Sequence, residues 1–174
     1  KIAEVRRLFA DDGGSEQLIW HFIGPIQSNK TRLIAENFSW VHSIDREKIA
    51  TRLSEQRPAS AGKLQVCLQV NISGEASKSG VTPDQVDSLA KHVVQLPNLC
   101  LRGLMCVPEA SEDEAVQRQA FRQLAVLQRQ LQTQGIAVDT LSMGMSADMQ
   151  AAIAEGSTMV RIGSAIFGKR DYAV

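Results

Sequence analysis

The 174-residue chain has no surplus of either charge, because Lys plus Arg and Asp plus Glu number 19 each. A nucleic-acid-binding domain needs a basic surface to neutralise phosphates, so the balance argues against that class. Cysteine is scarce. Cys67, Cys100 and Cys106 form no CxxC pair and lie in apolar runs, which reads as buried, reduced thiols of a cytoplasmic protein. The three histidines are scattered, without metal-ligand spacing, so no metal is expected. No apolar run approaches the roughly 20 residues of a membrane span. The opening residues do not have the form of a signal peptide. Hairpin signals are missing too, so successive strands are expected to run parallel.

What is present is a run of β-α units. With 44% hydrophobic residues the chain can fill the core of one domain, read as residues 1–174. Residues 1–9 place Ile2, Val5, Leu8 and Phe9 on one helical face. Strands are expected at Leu18–Ile23, Trp40–Ile44, Lys63–Ile72, Leu99–Val107, Thr140–Met145 and Met159–Ile162. Between them lie helical patterns. Ser28 can cap residues 28–38, Asp45 residues 46–56, and Thr82 with Pro83 opens residues 82–96. Glu112–Gln134 is long and amphipathic, and Gly135 ends it. The strands are short and apolar on both faces, as buried parallel strands are. A closed eight-stranded βα barrel typically has about 250 residues. Six strands leave either a doubly wound open sheet or a barrel whose first two βα units are absent. The opening helix has no cap before it, which favours the second reading.

The stretch Thr140–Arg170 organises the rest. Its two turns, Gly144-Met145-Ser146 and Arg161-Ile162-Gly163-Ser164, each lie where a strand hands over to a helix. Helix starts offer unpaired N–H groups and a positive dipole end, which suits an anion. In βα barrels the loops after the last two strands often bind phosphate.

Several stretches together resemble the pyridoxal-phosphate homeostasis proteins, relatives of the barrel domain of alanine racemase. They are WHFIGPIQSNK (Trp20–Lys30), SIDR (Ser43–Arg46), NISGEASKSG (Asn71–Gly80), LRGLMCVPE (Leu101–Glu109), the long Leu141–Gly168 stretch and the terminal RDY. The resemblance implies a TIM-type barrel of the alanine racemase N-terminal kind, with pyridoxal 5′-phosphate as cofactor. It implies that Ser146, Gly163 and Ser164 cradle the phosphate. It also implies that Arg161 approaches the pyridine nitrogen and Met145 lines the ring pocket. Arg161 keeps its proton, so the ring nitrogen stays unprotonated and the ring is a weak electron sink. Lys78, in the loop after the clearest strand, is a candidate second amine acceptor near the cofactor. His21 flanks another strand end, as a core or a site residue. The family's Schiff-base lysine lies in a motif that none of Lys1, Lys30, Lys48, Lys63, Lys78, Lys91 and Lys169 matches.

The expected function is cofactor binding and delivery without turnover, with pyridoxal-phosphate-dependent apo-enzymes as recipients, by a monomer. A racemase-like enzyme is the alternative. It requires a second acid/base on the opposite face of the cofactor, and Tyr172 is the only tyrosine. A phosphosugar enzyme would share the cradle but lacks an evident carboxylate pair or metal cluster.

Overall fold

The computed structural model describes residues 18–75 and 78–168. Their six strands are β1 (His21–Phe22), β2 (Trp40–Ile44), β3 (Leu64–Gln69), β4 (Leu99–Met105), β5 (Thr140–Met145) and β6 (Met159–Arg161). They form one sheet in sequence order, every pair parallel. Helices return the chain between strands: α1 (Thr31–Asn37), α2 (Glu47–Glu55), α3 (Val86–Val94), α4 (Glu114–Thr133) and α5 (Met149–Ala154). A four-residue helix, α6 (Ser164–Phe167), follows β6. The expectations for residues 1–9 and for Lys169 onward lie outside the described residues.

The sheet is curled. In a flat sheet β2 and β5, three strands apart, would be separated by about 14 Å. Yet His42 Nδ1 of β2 lies 2.8 Å from Ser142 Oγ of β5, and Arg102 of β4 sits 5.0 Å over the Trp40 ring of β2. Side chains therefore meet across a concave face, as in a half-barrel, while β1 and β6 remain unpaired with each other. Both faces of the central strands are covered: Val66, Cys67 and Leu68 of β3 are all fully buried. One apolar cluster joins Val66 and Leu68 to Ile49 and Leu53 of α2, Leu89 and Val93 of α3, and Phe121, Leu124 and Leu131 of α4.

Local chemistry fixes the boundaries. Thr82 and Gln85 make a reciprocal capping box with Pro83 at the first helical position. Asp113, one residue after the expected start, caps α4 by accepting from the Ala115 N–H at 2.8 Å. Gly135 ends that helix with φ 82°. Asp45 does not cap α2; it pairs instead with Arg46 at 2.7 Å. Ser28 likewise makes no capping bond, and its helix opens with a 3-10 turn at Ser28–Lys30. Two strands are shorter than expected. β1 keeps only His21 and Phe22 of Leu18–Ile23, and β3 stops at Gln69, where Val70 leaves to bridge Val81. Among the described residues no helix is long and apolar enough to cross a membrane.

Candidate functional site

The carboxyl ends of β1, β5 and β6 surround a cavity of about 760 Å³, within the usual range for small-molecule sites. One side is made by the two strand-to-helix turns, with Met145, Ser146, Gly163 and Ser164. His21, His42 and Arg161 line the rest.

Beyond the pairing of Met145 with Arg161 in the sheet, a side chain ties the two turns together: the Ser146 hydroxyl oxygen accepts from the Ala165 N–H at 3.3 Å. That hydroxyl does not cap the helix of its own unit. It serves the next one, because residues 146–148 form a turn before α5 begins at Met149. Asp148 closes that turn by accepting from the Met145 N–H at 2.6 Å. Gly144 is required here. Its φ is 93°, and an added Cβ would lie 2.6 Å from the Ala152 Cβ. Gly163 differs, because an added Cβ would meet nothing within 4 Å. Open space therefore adjoins the backbone there. The Gly163 and Ser164 N–H groups have no partner among the described residues.

Arg161, ending β6, points its guanidinium across the concave face. Nη1 donates to the Ser142 carbonyl at 2.6 Å and to Ser142 Oγ at 2.9 Å, and Nη2 donates to the Cys106 carbonyl at 2.8 Å. Burial pushes its pKa below the usual arginine value, though a guanidinium stays charged in proteins. Two of its five N–H groups remain without a partner among the described residues.

Ser142 Oγ also contacts His42, whose Nε2 lies 2.9 Å from His21 Nδ1. Burial, then the neighbouring His21 and Arg161, push His42 down to about 4, so it is neutral near pH 7. His21 is lowered by burial and stacks on Trp40 at 5.3 Å between ring centroids. The sequence reading named neither His42 nor Ser142. The available signal was polar side chains inside short buried strands, His42 with Ser43 in WVHSI and Ser142 with Thr140 in TLSMGM.

Lys78 is not in this cavity. It pairs with Glu75 at 2.9 Å and lines a neighbouring cavity of about 270 Å³ with Gln69 and Val107. Ile23 borders both cavities. Among the described residues no lysine lines the larger cavity, and no group of three His, Cys, Asp or Glu is placed to hold a metal.

The family model for the N-terminal domain of alanine racemase matches residues 2–171. The pyridoxal phosphate homeostasis protein of Vibrio cholerae is 63% identical over 96% of this chain and 71% of its own length. That of Pseudomonas aeruginosa is 63% identical over 89% of this chain and 66% of its own length. The chain thus spans about two thirds of these relatives. Among solved structures, PipY of Synechococcus elongatus with PLP bound superposes with a TM-score of 0.82 at 31% identity, covering 97% of this chain and 79% of PipY. A Clostridium difficile alanine racemase, 13% identical with a TM-score of 0.68, shares the fold. The chain belongs to the alanine racemase N-terminal domain family and, within it, to the pyridoxal phosphate homeostasis proteins.

Proposed function

We propose that the cavity binds pyridoxal 5′-phosphate and that the protein holds and delivers this cofactor without turning over a substrate. The observation that carries the reading is the tie between the two turns, Ser146 Oγ to the Ala165 N–H. It sets two hydroxyls, of Ser146 and Ser164, beside the N–H groups of Gly163 and Ser164, which have no partner among the described residues, and the open space at Gly163. Converging donors of this kind suit a phosphate. PipY, with PLP bound, shares the fold and 31% of the sequence.

In this reading Met145 lines the ring pocket, His21 borders it, and Arg161 approaches the ring nitrogen with its two unspent N–H groups. When bound, the cofactor supplies an aldehyde and an aromatic ring that can take up electrons. Arg161 cannot give up its proton, so it offers a hydrogen bond without protonating the ring. That arrangement supports storage over carbanion chemistry. Lys78, in the adjoining cavity, is a second amine that the cofactor could meet on leaving. The relatives' greater length and the two open sheet edges support a complete barrel with two further βα units between β6 and β1. In that barrel the family's anchoring lysine stands on an added unit. The recipients are apo-enzymes that use the same cofactor, and the protein acts as a monomer.

The test is the double variant Gly163→Val with Ser164→Ala in the whole protein, titrated with the cofactor and followed by fluorescence. A valine side chain at Gly163 would fill the open space, and the change at Ser164 removes a hydroxyl. The expected result is a weakening of at least tenfold with unchanged circular dichroism. Unchanged affinity would remove the phosphate assignment.

A further inference from the structure

Four polar side chains from four strands, His21, His42, Ser142 and Arg161, form one continuous hydrogen-bonded chain across the concave face, and the cofactor reading above uses only its two ends. Its direction follows from donor counting. Ser142 is fully buried, and its Oγ accepts from Arg161 Nη1 at 2.9 Å, a group that can only donate. If His42 Nδ1 also donated to Ser142 Oγ, the serine proton would have no acceptor among the described residues. Such an orphan costs about 1–3 kcal/mol. The serine hydroxyl therefore donates to His42 Nδ1 at 2.8 Å. His42 then carries its proton on Nε2 and donates to His21 Nδ1 at 2.9 Å. His21 must carry its own proton on Nε2. That last N–H has no partner among the described residues, and it belongs to a residue that lines the cavity. The stack of His21 on Trp40, 12° from parallel, holds the ring plane.

We propose that His42 and Ser142 are positioning residues that lock His21 and Arg161 into one unit. In that unit His21 Nε2–H is a further ligand-binding donor for an oxygen of the cofactor. The inference rests on the cofactor reading for the identity of the ligand, but not for the direction of the chain. The unit needs His42 neutral, and its surroundings favour that form: His21 from β1, Ser142 from β5 and Arg161 from β6 face it, with no carboxylate among them. The carboxylate that acts on Arg161 is that of Asp148.

The chain has only three histidines, so their ring nitrogens can be read by NMR in the whole protein, with His92, bonded to Thr51 at 3.0 Å, as an internal reference. Without ligand, both His21 and His42 are expected in the Nε2–H form at pH 7. A His42 protonated on Nδ1 would overturn the direction of the chain. With added pyridoxal 5′-phosphate, the His21 Nε2 signal is expected to shift while His92 does not. The variant His42→Asn keeps an acceptor for the Ser142 hydroxyl but cannot reach His21. It should weaken the cofactor about tenfold and move its bound absorption band, with the melting temperature within a few degrees. Unchanged affinity and band in that variant would refute the positioning role. If the cofactor does not bind at all while both rings keep the Nε2–H form, the cofactor reading falls and the chain's direction stands.

Discussion

Gly103 pairs with Thr140 where β4 meets β5, and an added Cβ there would land on the Thr140 backbone carbonyl. The nearest atoms are all Thr140 backbone, so no flexible side chain can give way. Gly103→Ala should therefore cost several kcal/mol, in the range of severe core overpacking. Thermal unfolding would show it, and a melting temperature within about 2 °C of the parent would contradict it. His42 makes a second residue-scale prediction. Its folded pKa of about 4 lies below the ordinary 6.5, so the unfolded chain binds the proton more readily. Its contribution is complete above pH 6.5 and is lost as pH falls toward 4. The difference corresponds to at most about 3 kcal/mol. Glu155, lowered to about 2 by Arg122 and Arg118, loses its contribution only below its ordinary 4.5. A fall in melting temperature between pH 6.5 and 4.5 that His42→Asn flattens would therefore report the histidines. The two strand-to-helix turns were legible in the sequence because helix-start chemistry is local: Ser146, Gly163 and Ser164 lie within twenty residues. His42 was not, because its partner Ser142 is 100 residues away and only the curl of the sheet joins them.

At the scale of elements, α4 depends on Asp113. Removing its cap with Asp113→Ala should cost about 1 kcal/mol, or roughly 2–4 °C in a protein of this size. The same substitution at Asp45, which the sequence suggested as the cap of α2, should cost less, since no capping bond is made there. Equal losses would contradict the distinction. Arg118 and Arg122 of α4 reach Glu155, the C-cap of α5, at 2.8 and 2.9 Å. They offset a carboxylate at the negative end of a helix. Strands β2 and β5 matched the sequence expectation residue for residue, since apolar runs of that length have little alternative. The 3-10 turns at Ser28–Lys30 and Pro83–Gln85 were read as α-helix, because period and capping chemistry do not separate a tight first turn from a regular one.

The whole molecule is a curled parallel sheet whose carboxyl edge carries the site, where βα folds collect their ligands. The parallel α/β class was legible from β-α alternation, which left an open sheet and a barrel as alternatives. The family resemblance implied the barrel, and the curl is seen where side chains such as Arg102 and Trp40 meet over an intervening strand. The central proposal is that two turns of this edge hold the phosphate of pyridoxal 5′-phosphate. It is tested most directly by comparing the affinity of the whole protein for pyridoxal 5′-phosphate and for pyridoxal, which lacks only the phosphate. Two charge-assisted hydrogen bonds contribute about 3 kcal/mol, so the phosphorylated form should bind at least about 100-fold more tightly. The Gly163→Val, Ser164→Ala variant should erase most of that preference. Equal binding of the two vitamers, or a preference untouched in the variant, would contradict it.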